Sequence, residues 1–190
     1  MRTPTVPEPR LALRAGEALV RQGDPVPCVW VVESGALRES CLSEDGRELA
    51  SEVLGAGDLA GWVDADGSPV TVRALKLSRL RRASPDEAAG LRSARERRTL
   101  QLACDLAWLD VGRRVERRLH DLAARFGREV SGGVLVDLRL SHEDLAALTG
   151  TTRESVSRAL AALERGGRLR RAGRGRYVVR PPLAPMPSAR

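Results

Sequence analysis

The chain has 190 residues, 42% of them hydrophobic and 30% charged, with a net charge of +7; this composition belongs to a globular protein with one or two cores and excludes the disordered, collagen-like and disulfide-rich classes. No window holds 18 apolar residues, and Met1–Arg10 is polar and proline-rich rather than leader-like, so the expectation is a cytoplasmic protein with no membrane partner. The charge is uneven: residues 1–90 carry 11 basic and 14 acidic side chains, residues 91–140 carry 11 and 7, and residues 141–190 carry 10 and 4, which concentrates a basic field in the C-terminal half and calls for a polyanionic partner there.

Residues 11–83 read as short strands separated by turns. Apolar runs such as Val29–Val32 and Val70–Val72 are bounded by the turn steps Gly23-Asp24, Ser34-Gly35, Asp45-Gly46, Gly57-Asp58 and Asp66-Gly67. Turn signals at this spacing predict an antiparallel sandwich or barrel. Glu44-Asp45-Gly46, between Arg38–Leu42 and Glu48–Leu54, predicts a hairpin. Trp30 and Trp62 are read as core aromatics rather than as a ligand cage.

Ser84-Pro85-Asp86-Glu87 predicts a helix start, with Ser84 as cap, Pro85 in the first helical position and Glu87 completing a capping box. The helix runs to Leu109. Thr99, Leu102, Leu106 and Leu109 keep a three-to-four spacing that makes an apolar seam, a pattern that fits a packed helix and a dimer helix equally well; the earlier half, with Arg92, Arg95, Arg97 and Arg98, offers little seam. Val111–Phe126 is a second amphipathic helix, with Val115, Leu119 and Leu122 on its apolar face and Gly127 at its end. His120, beside that face, is not read as a ligand. Alternation of Val134, Val136, Leu138 and Leu140 predicts one strand over residues 132–140, and the proline-rich residues 181–190 a disordered tail. Cys28, Cys41 and Cys104 are far apart with no Cys-x-x-Cys pair, which argues for reduced thiols and against a four-thiolate cluster, with redox sensing left open.

The most informative stretch is Ser141–Val179. Ser141 caps a helix with Asp144 three residues on, Leu145, Ala146 and Leu148 form its apolar face, and Thr149-Gly150 makes a tight corner. Thr151 is expected to open a second helix, with Glu154 completing a Thr-x-x-Glu box; that helix, Thr152 to Glu164, buries Val156, Leu160 and Leu163 and presents Arg153, Glu154, Ser157 and Arg158. Gly166-Gly167 stops it, and Arg168–Ala172 and Arg174–Val179 form a hairpin turning near Gly173. Helix, glycine corner, helix and basic hairpin describe a winged helix-turn-helix for double-stranded DNA. Arg153, Glu154 and Arg158 suit guanine and cytosine edges in the major groove. Arg170, Arg171, Arg174 and Arg176 suit phosphates, and the helix starts at Ser141, Thr151 and Thr152 offer free amides to the DNA backbone. On an arbitrary helix, Arg-Glu-x-x-x-Arg is salt-bridge decoration; the caps, the hairpin and the charge asymmetry turn the reading toward DNA.

Leu148-Thr149-Gly150-Thr151-Thr152-Arg153-Glu154-Ser155-Val156-Ser157-Arg158-Ala159-Leu160 is very similar to the recognition-helix signature of the cyclic-AMP-receptor / fumarate-nitrate-regulator (CRP/FNR) family. Leu106–Val111 resembles the hinge of that family, and Gly16–Asp24 with Val29–Leu37 its sensor β-roll, so the resemblance covers about residues 11–180. It implies an α+β protein: an N-terminal antiparallel β-roll of the cyclic-nucleotide-binding jelly-roll kind over residues 1–83, a long dimerisation helix over 84–109, a winged helix-turn-helix over 110–180 and a tail over 181–190. By the resemblance, Arg153, Glu154, Ser157 and Arg158 are base readers, the protein is a homodimer on an inverted repeat with a TGA core, and RNA polymerase is a further partner.

The sequence departs from the family in the sensor pocket. Gly57-Asp58-Leu59 resembles the family's Gly-Glu-Leu step, but the arginine and serine or threonine expected eleven residues after that glycine are Ser68 and Pro69, and the dimer-helix pair that contacts adenine is Thr99-Leu100. Asp58, Asp64 and Asp66 add negative charge; Arg73 could point inward, although its strand position argues against it. A cyclic phosphate would lack its charge-assisted partner, so the expectation is a degenerate sensor with no cyclic nucleotide, no metal and no cofactor. A ligand-sensing module whose helix-turn-helix contacts protein is the alternative; an enzyme finds no triad, metal spacing or phosphate loop in its favour.

Overall fold

A computed structural model describes residues 9–62 and 66–180 as two compact units, one up to Gln101 and one from Leu102. The sequence expectations for residues 1–8, for Asp64 and for the tail over 181–190 lie outside the described residues.

The first unit holds eight strands: β1 (Arg10–Leu13), β2 (Ala18–Val20), β3 (Trp30–Ser34), β4 (Leu37–Leu42), β5 (Glu48–Leu54), β6 (Leu59–Ala60), β7 (Thr71–Ala74) and β8 (Ser78–Arg82). They form two antiparallel four-stranded sheets, ordered β1-β8-β3-β6 and β2-β7-β4-β5. Alternation decides the faces: Val72 and Ala74 are buried where Arg73 is exposed, and Ser78 and Leu80 where Arg79 is exposed. Leu13, Val32 and Leu80 from one sheet and Leu37, Leu54 and Val72 from the other make one core, as in a β-roll. The predicted β4–β5 hairpin is present, with Glu39 opposite Glu52 and a register shift between Glu39 and Ser40. At Gly35, with φ of 106°, a Cβ would lie 2.5 Å from the Ser78 Cα; only glycine lets the turn between β3 and β4 meet the start of β8. Arg73 does not turn inward: it is exposed and donates to the Gly16 carbonyl at 2.6 Å.

The helix α1 (Pro85–Trp108) starts as predicted. The Glu87 amide donates to Ser84 Oγ at 3.2 Å, and the Ser84 amide to Glu87 Oε2 at 3.1 Å. Among the described residues no helix is long and apolar enough to cross a membrane.

The second unit contains α2 (Val111–Phe126), β9 (Gly127–Val130), β10 (Gly133–Val136), α3 (His142–Thr149), α4 (Arg153–Arg165), β11 (Leu169–Arg171) and β12 (Tyr177–Val179). Asp110 caps α2 by accepting from the Arg113 amide at 2.9 Å. The single strand expected over 132–140 is instead a hairpin, β9 on β10, and β10 also pairs with β12, giving a sheet ordered β11-β12-β10-β9. The alternation misleads because Leu138 and Leu140 are buried beyond the strand end, where the Leu140 amide donates to the Gly175 carbonyl. Gly127 ends α2 in an extended conformation rather than a left-handed cap; a Cβ there would overlap the Ala123 carbonyl and Val134.

The start of α4 also differs by one residue. Thr152, not Thr151, is the cap, its hydroxyl accepting from the Ser155 amide at 3.3 Å, and the Thr151–Glu154 box is not formed. Thr151 belongs to the corner, its amide donating to the Ala146 carbonyl at 3.0 Å.

Thr152→Ala should lower unfolding stability by about 1 kcal/mol in urea denaturation, and Thr151→Ala by clearly less; equal losses would return the cap to Thr151. The Arg81 guanidinium, and then the Ser84 amide, hold the Glu87 carboxyl at about 2 against an ordinary 4.5. Because the folded value is depressed, the stabilisation is complete above pH 4.5 and is lost as pH falls toward 2. Glu87→Gln should flatten the stability-against-pH curve in that window alone.

Candidate nucleic-acid interface

Local chemistry positions the α3–α4 pair. Ser141 and Asp144 form the predicted capping box, the Asp144 amide donating to Ser141 Oγ at 3.0 Å and the Ser141 amide to Asp144 Oδ2 at 2.8 Å. Gly150 ends α3 at φ 57° and ψ 49°, its amide donating to the Ala146 carbonyl; this left-handed residue turns the chain into α4. Val156, Ala159, Leu160 and Leu163 are buried, and α4 packs on α2 and α3. The opposite face is thereby set outward.

On that face Arg153, Glu154 and Arg158 are exposed. Arg153 Nε lies 3.1 Å from Glu143 Oε1 of α3, with both side chains about two-thirds exposed; a pair so open to water is weak and yields readily to a competing acceptor. The carboxyl of Glu143 is held below its ordinary range by a backbone N–H at the start of α3 and by Arg153. Arg158 Nη2 donates to Ser155 Oγ at 3.1 Å. Ser157 is half-buried, and its hydroxyl is engaged twice, donating to the Arg153 carbonyl at 2.9 Å and meeting His142 Nδ1 at 2.7 Å. The tautomer of His142 decides which of the two groups donates in that contact.

The basic hairpin flanks this face. Arg170, Arg171 and Arg174 are exposed, Arg171 beside Glu164 at 3.2 Å, while Arg176 is half-buried at 3.9 Å from Asp137. Between the start of α3 and this hairpin lies a cleft of about 440 Å³, lined among others by Arg139, Ser141, His142, Arg171 and Arg174. Arg139 and His142 have no assigned role in the sequence pattern. A signal for Arg139 does exist, since it stands between the inward Leu138 and Leu140 and just ahead of the Ser141 cap.

The residues expected at the sensor pocket are scattered. Asp58 closes its own turn, accepting from the Gly55 amide at 2.7 Å, and takes Arg98 Nη2 at 2.9 Å. Ser68 is buried, its hydroxyl donating to the Val70 carbonyl at 2.6 Å, and Pro69 is exposed. Thr99 is exposed and donates to the Arg95 carbonyl of its own helix at 3.2 Å. The interior is occupied by charge that the sequence does not disclose. Glu39 and Glu52, 3% and 5% exposed, meet Arg95 and Arg98 of α1, respectively. Trp62 is not a core aromatic: it is partly exposed and covers the Arg95 guanidinium. Burial pushes the Glu39 carboxyl up, opposed by Arg95. Among the described residues no three His, Cys, Asp or Glu side chains are grouped as a metal site requires.

Along the apolar seam read on α1, Leu102 is buried, Leu106 and Leu109 are half-buried and Thr99 is exposed. On α1 the large apolar residues left in the open are Leu100 and Trp108, 66% and 79% exposed.

Residues 113–182 match the Crp-like helix-turn-helix domain family and residues 10–94 the cyclic nucleotide-binding domain family. The chain is 31% identical over 177 residues to the CRP-like cAMP-activated global transcriptional regulator of Mycobacterium tuberculosis, covering 84% of this chain and 79% of that one. It is 32% identical over 182 residues to the CRP-like protein Clp of Xanthomonas euvesicatoria, at 84% and 78% coverage. Among solved structures, the c-di-GMP responsive global regulator CLP of Xanthomonas campestris superposes with a TM-score of 0.76 at 27% identity, over 92% and 94% of the two chains. A CRP-family regulator of Thermus thermophilus reaches 0.79 at 23% identity over 89% and 91%, a likeness of fold alone. The β-roll, the helix-turn-helix and these relatives agree: the chain belongs to the CRP/FNR family of transcription regulators.

Proposed function

We propose that this regulator acts in the cytoplasm as a homodimer, that it reads an inverted repeat through α4, and that it does so without a cyclic nucleotide. The observation that carries the reading is the outward face of α4, where Arg153, Glu154 and Arg158 stand exposed beside a cleft lined by Arg139, Arg171 and Arg174. Exposed guanidinium and carboxylate groups on a rigid helix suit base edges. The cleft and hairpin arginines suit phosphates and set register. Ser157, held by His142 and the Arg153 carbonyl, supports the backbone of the reading helix in this scheme. A second copy is accommodated on α1, where Leu100 and Trp108, with half-buried Cys104 between them, are spaced four residues apart along one face.

Independence from cyclic nucleotides rests on charge. The Mycobacterium tuberculosis relative is named as cAMP-activated and the Xanthomonas campestris one as c-di-GMP responsive. Here the positions where the family holds its phosphate are Ser68 and Pro69, and the β-roll interior carries the buried Glu39 and Glu52. A phosphate at Ser68 and Pro69 would lack the arginine that the family places there, and burying an unpaired anion is costly.

Duplexes recovered by selection with the purified chain provide the test. Arg153→Ala should cost about 1–3 kcal/mol and relax preference at one base position, whereas Arg174→Ala should weaken all duplexes alike and lower the salt slope; uniform loss in both variants would remove the base-reading role. Calorimetric titration with cyclic AMP, cyclic GMP and cyclic di-GMP should give no heat of binding at micromolar concentrations, and saturable binding of any of them would refute nucleotide independence.

A further inference from the structure

The interior of the β-roll presents three recognition elements to one planar cation. The carboxylate of Glu39 takes Arg95 Nη2, the Gly61 carbonyl accepts from Arg95 Nη1 at 2.9 Å, and the Trp62 ring lies 3.8 Å from the guanidinium carbon. The carboxylate is itself positioned, since Ser51 Oγ donates to Glu39 Oε1 at 2.8 Å. Arg95 is 7% exposed and Glu39 3%. Among the described residues Arg95 Nε has no acceptor, and the contacts named here engage the two terminal nitrogens. A carboxylate, a carbonyl and an aromatic face at these positions match a guanidinium fork and its flat π-face; an ammonium offers neither.

The surrounding charge points the same way. Glu52 stands directly across the strand pair from Glu39, and like charges in that relation repel. Arg98 answers Glu52 and Asp58. Glu39, Glu52 and Asp58 each meet a guanidinium of α1, so carboxylate-to-guanidinium pairing is the recurrent chemistry of this region.

We propose that the β-roll of this chain is a guanidinium site, that Arg95 is its tethered ligand, and that small alkylguanidinium compounds are the class of ligand it accepts when the Arg95 side chain is withdrawn. Arg95 thereby supplies from α1 the contacts that a diffusible effector would otherwise make. The proposal shares with the functional reading only the premise that the interior holds no cyclic nucleotide.

The full chain carrying Arg95→Ala is the test, with methylguanidinium as the probe. The variant should melt below the parent, and about 20 mM methylguanidinium should raise its Tm by about 5 °C or more. Methylammonium at the same concentration should not, and the double variant Arg95→Ala/Glu39→Gln should not respond to either. Should Arg95→Ala alone be unfolded, a cooperative melting transition that appears on adding methylguanidinium is the supporting result. Absence of any methylguanidinium effect, an equal effect of methylammonium, or an undiminished response in the double variant would each overturn the proposal. None of these readouts involves DNA or a nucleotide, so the proposal fails or stands separately from the functional reading.

Discussion

Two carboxylates buried opposite one another in a sheet cannot stand alone. Glu39 and Glu52 are in that position on β4 and β5, and the desolvation of each, compounded by their mutual repulsion, must be offset by cations of equal reach. Arg95 and Arg98 provide them from α1. The first unit is organised around this demand: the sheet supplies the anions, the helix supplies the guanidiniums three residues apart, and Trp62 and the Gly61 carbonyl complete the enclosure. A chain with ordinary apolar residues at positions 39 and 52 would have no need of arginines in the first half of α1, and would have an interior free for another occupant.

The same arrangement sets this chain's β-roll apart chemically within a fold that it shares with a c-di-GMP-responsive regulator and a cAMP-activated relative. A β-roll of this kind provides a space between two sheets and a helix beside it. What fills the space depends on a handful of side chains. Here the fill is an internal ion-pair network, in which removal of one member leaves an uncompensated buried charge. Such a network ties α1 to the β-roll through side chains of the chain itself.

The DNA-facing unit follows a different logic, in which nearly everything is local. A capping box starts α3, a left-handed glycine ends it, and a threonine cap starts α4 two residues later. These interactions span three or four residues, so they are legible in the order of the amino acids, and helical period alone places Arg153, Glu154 and Arg158 outward. The misplaced cap shows the limit of local rules. Thr151 and Thr152 are chemically equivalent as caps, and the choice falls to Thr152 because the corner uses the Thr151 amide to satisfy the Ala146 carbonyl. The engagement of Ser157 by His142 is illegible for a related reason: the two lie on different helices and meet only because the corner brings α3 and α4 together.

By itself, then, the sequence determined the elements whose stabilising contacts lie within about one turn of helix or across one tight turn: the helix over Val111–Phe126, the β4–β5 hairpin, the caps at Ser84 and Ser141, and the outward face of α4. Tertiary structure alone decided which polar residues are buried. Alternation does place Glu39 on the face of Leu37, and Glu52 on the face of Ala50 and Leu54, but a carboxylate at such a position reads as a reason against burial until its cation is known. Their partners are more than forty residues away along the chain. The pairing of β10 with both β9 and β12 is of the same kind. A strand carries its own alternation, but its neighbours and the charges that will face it are set by where the rest of the chain returns.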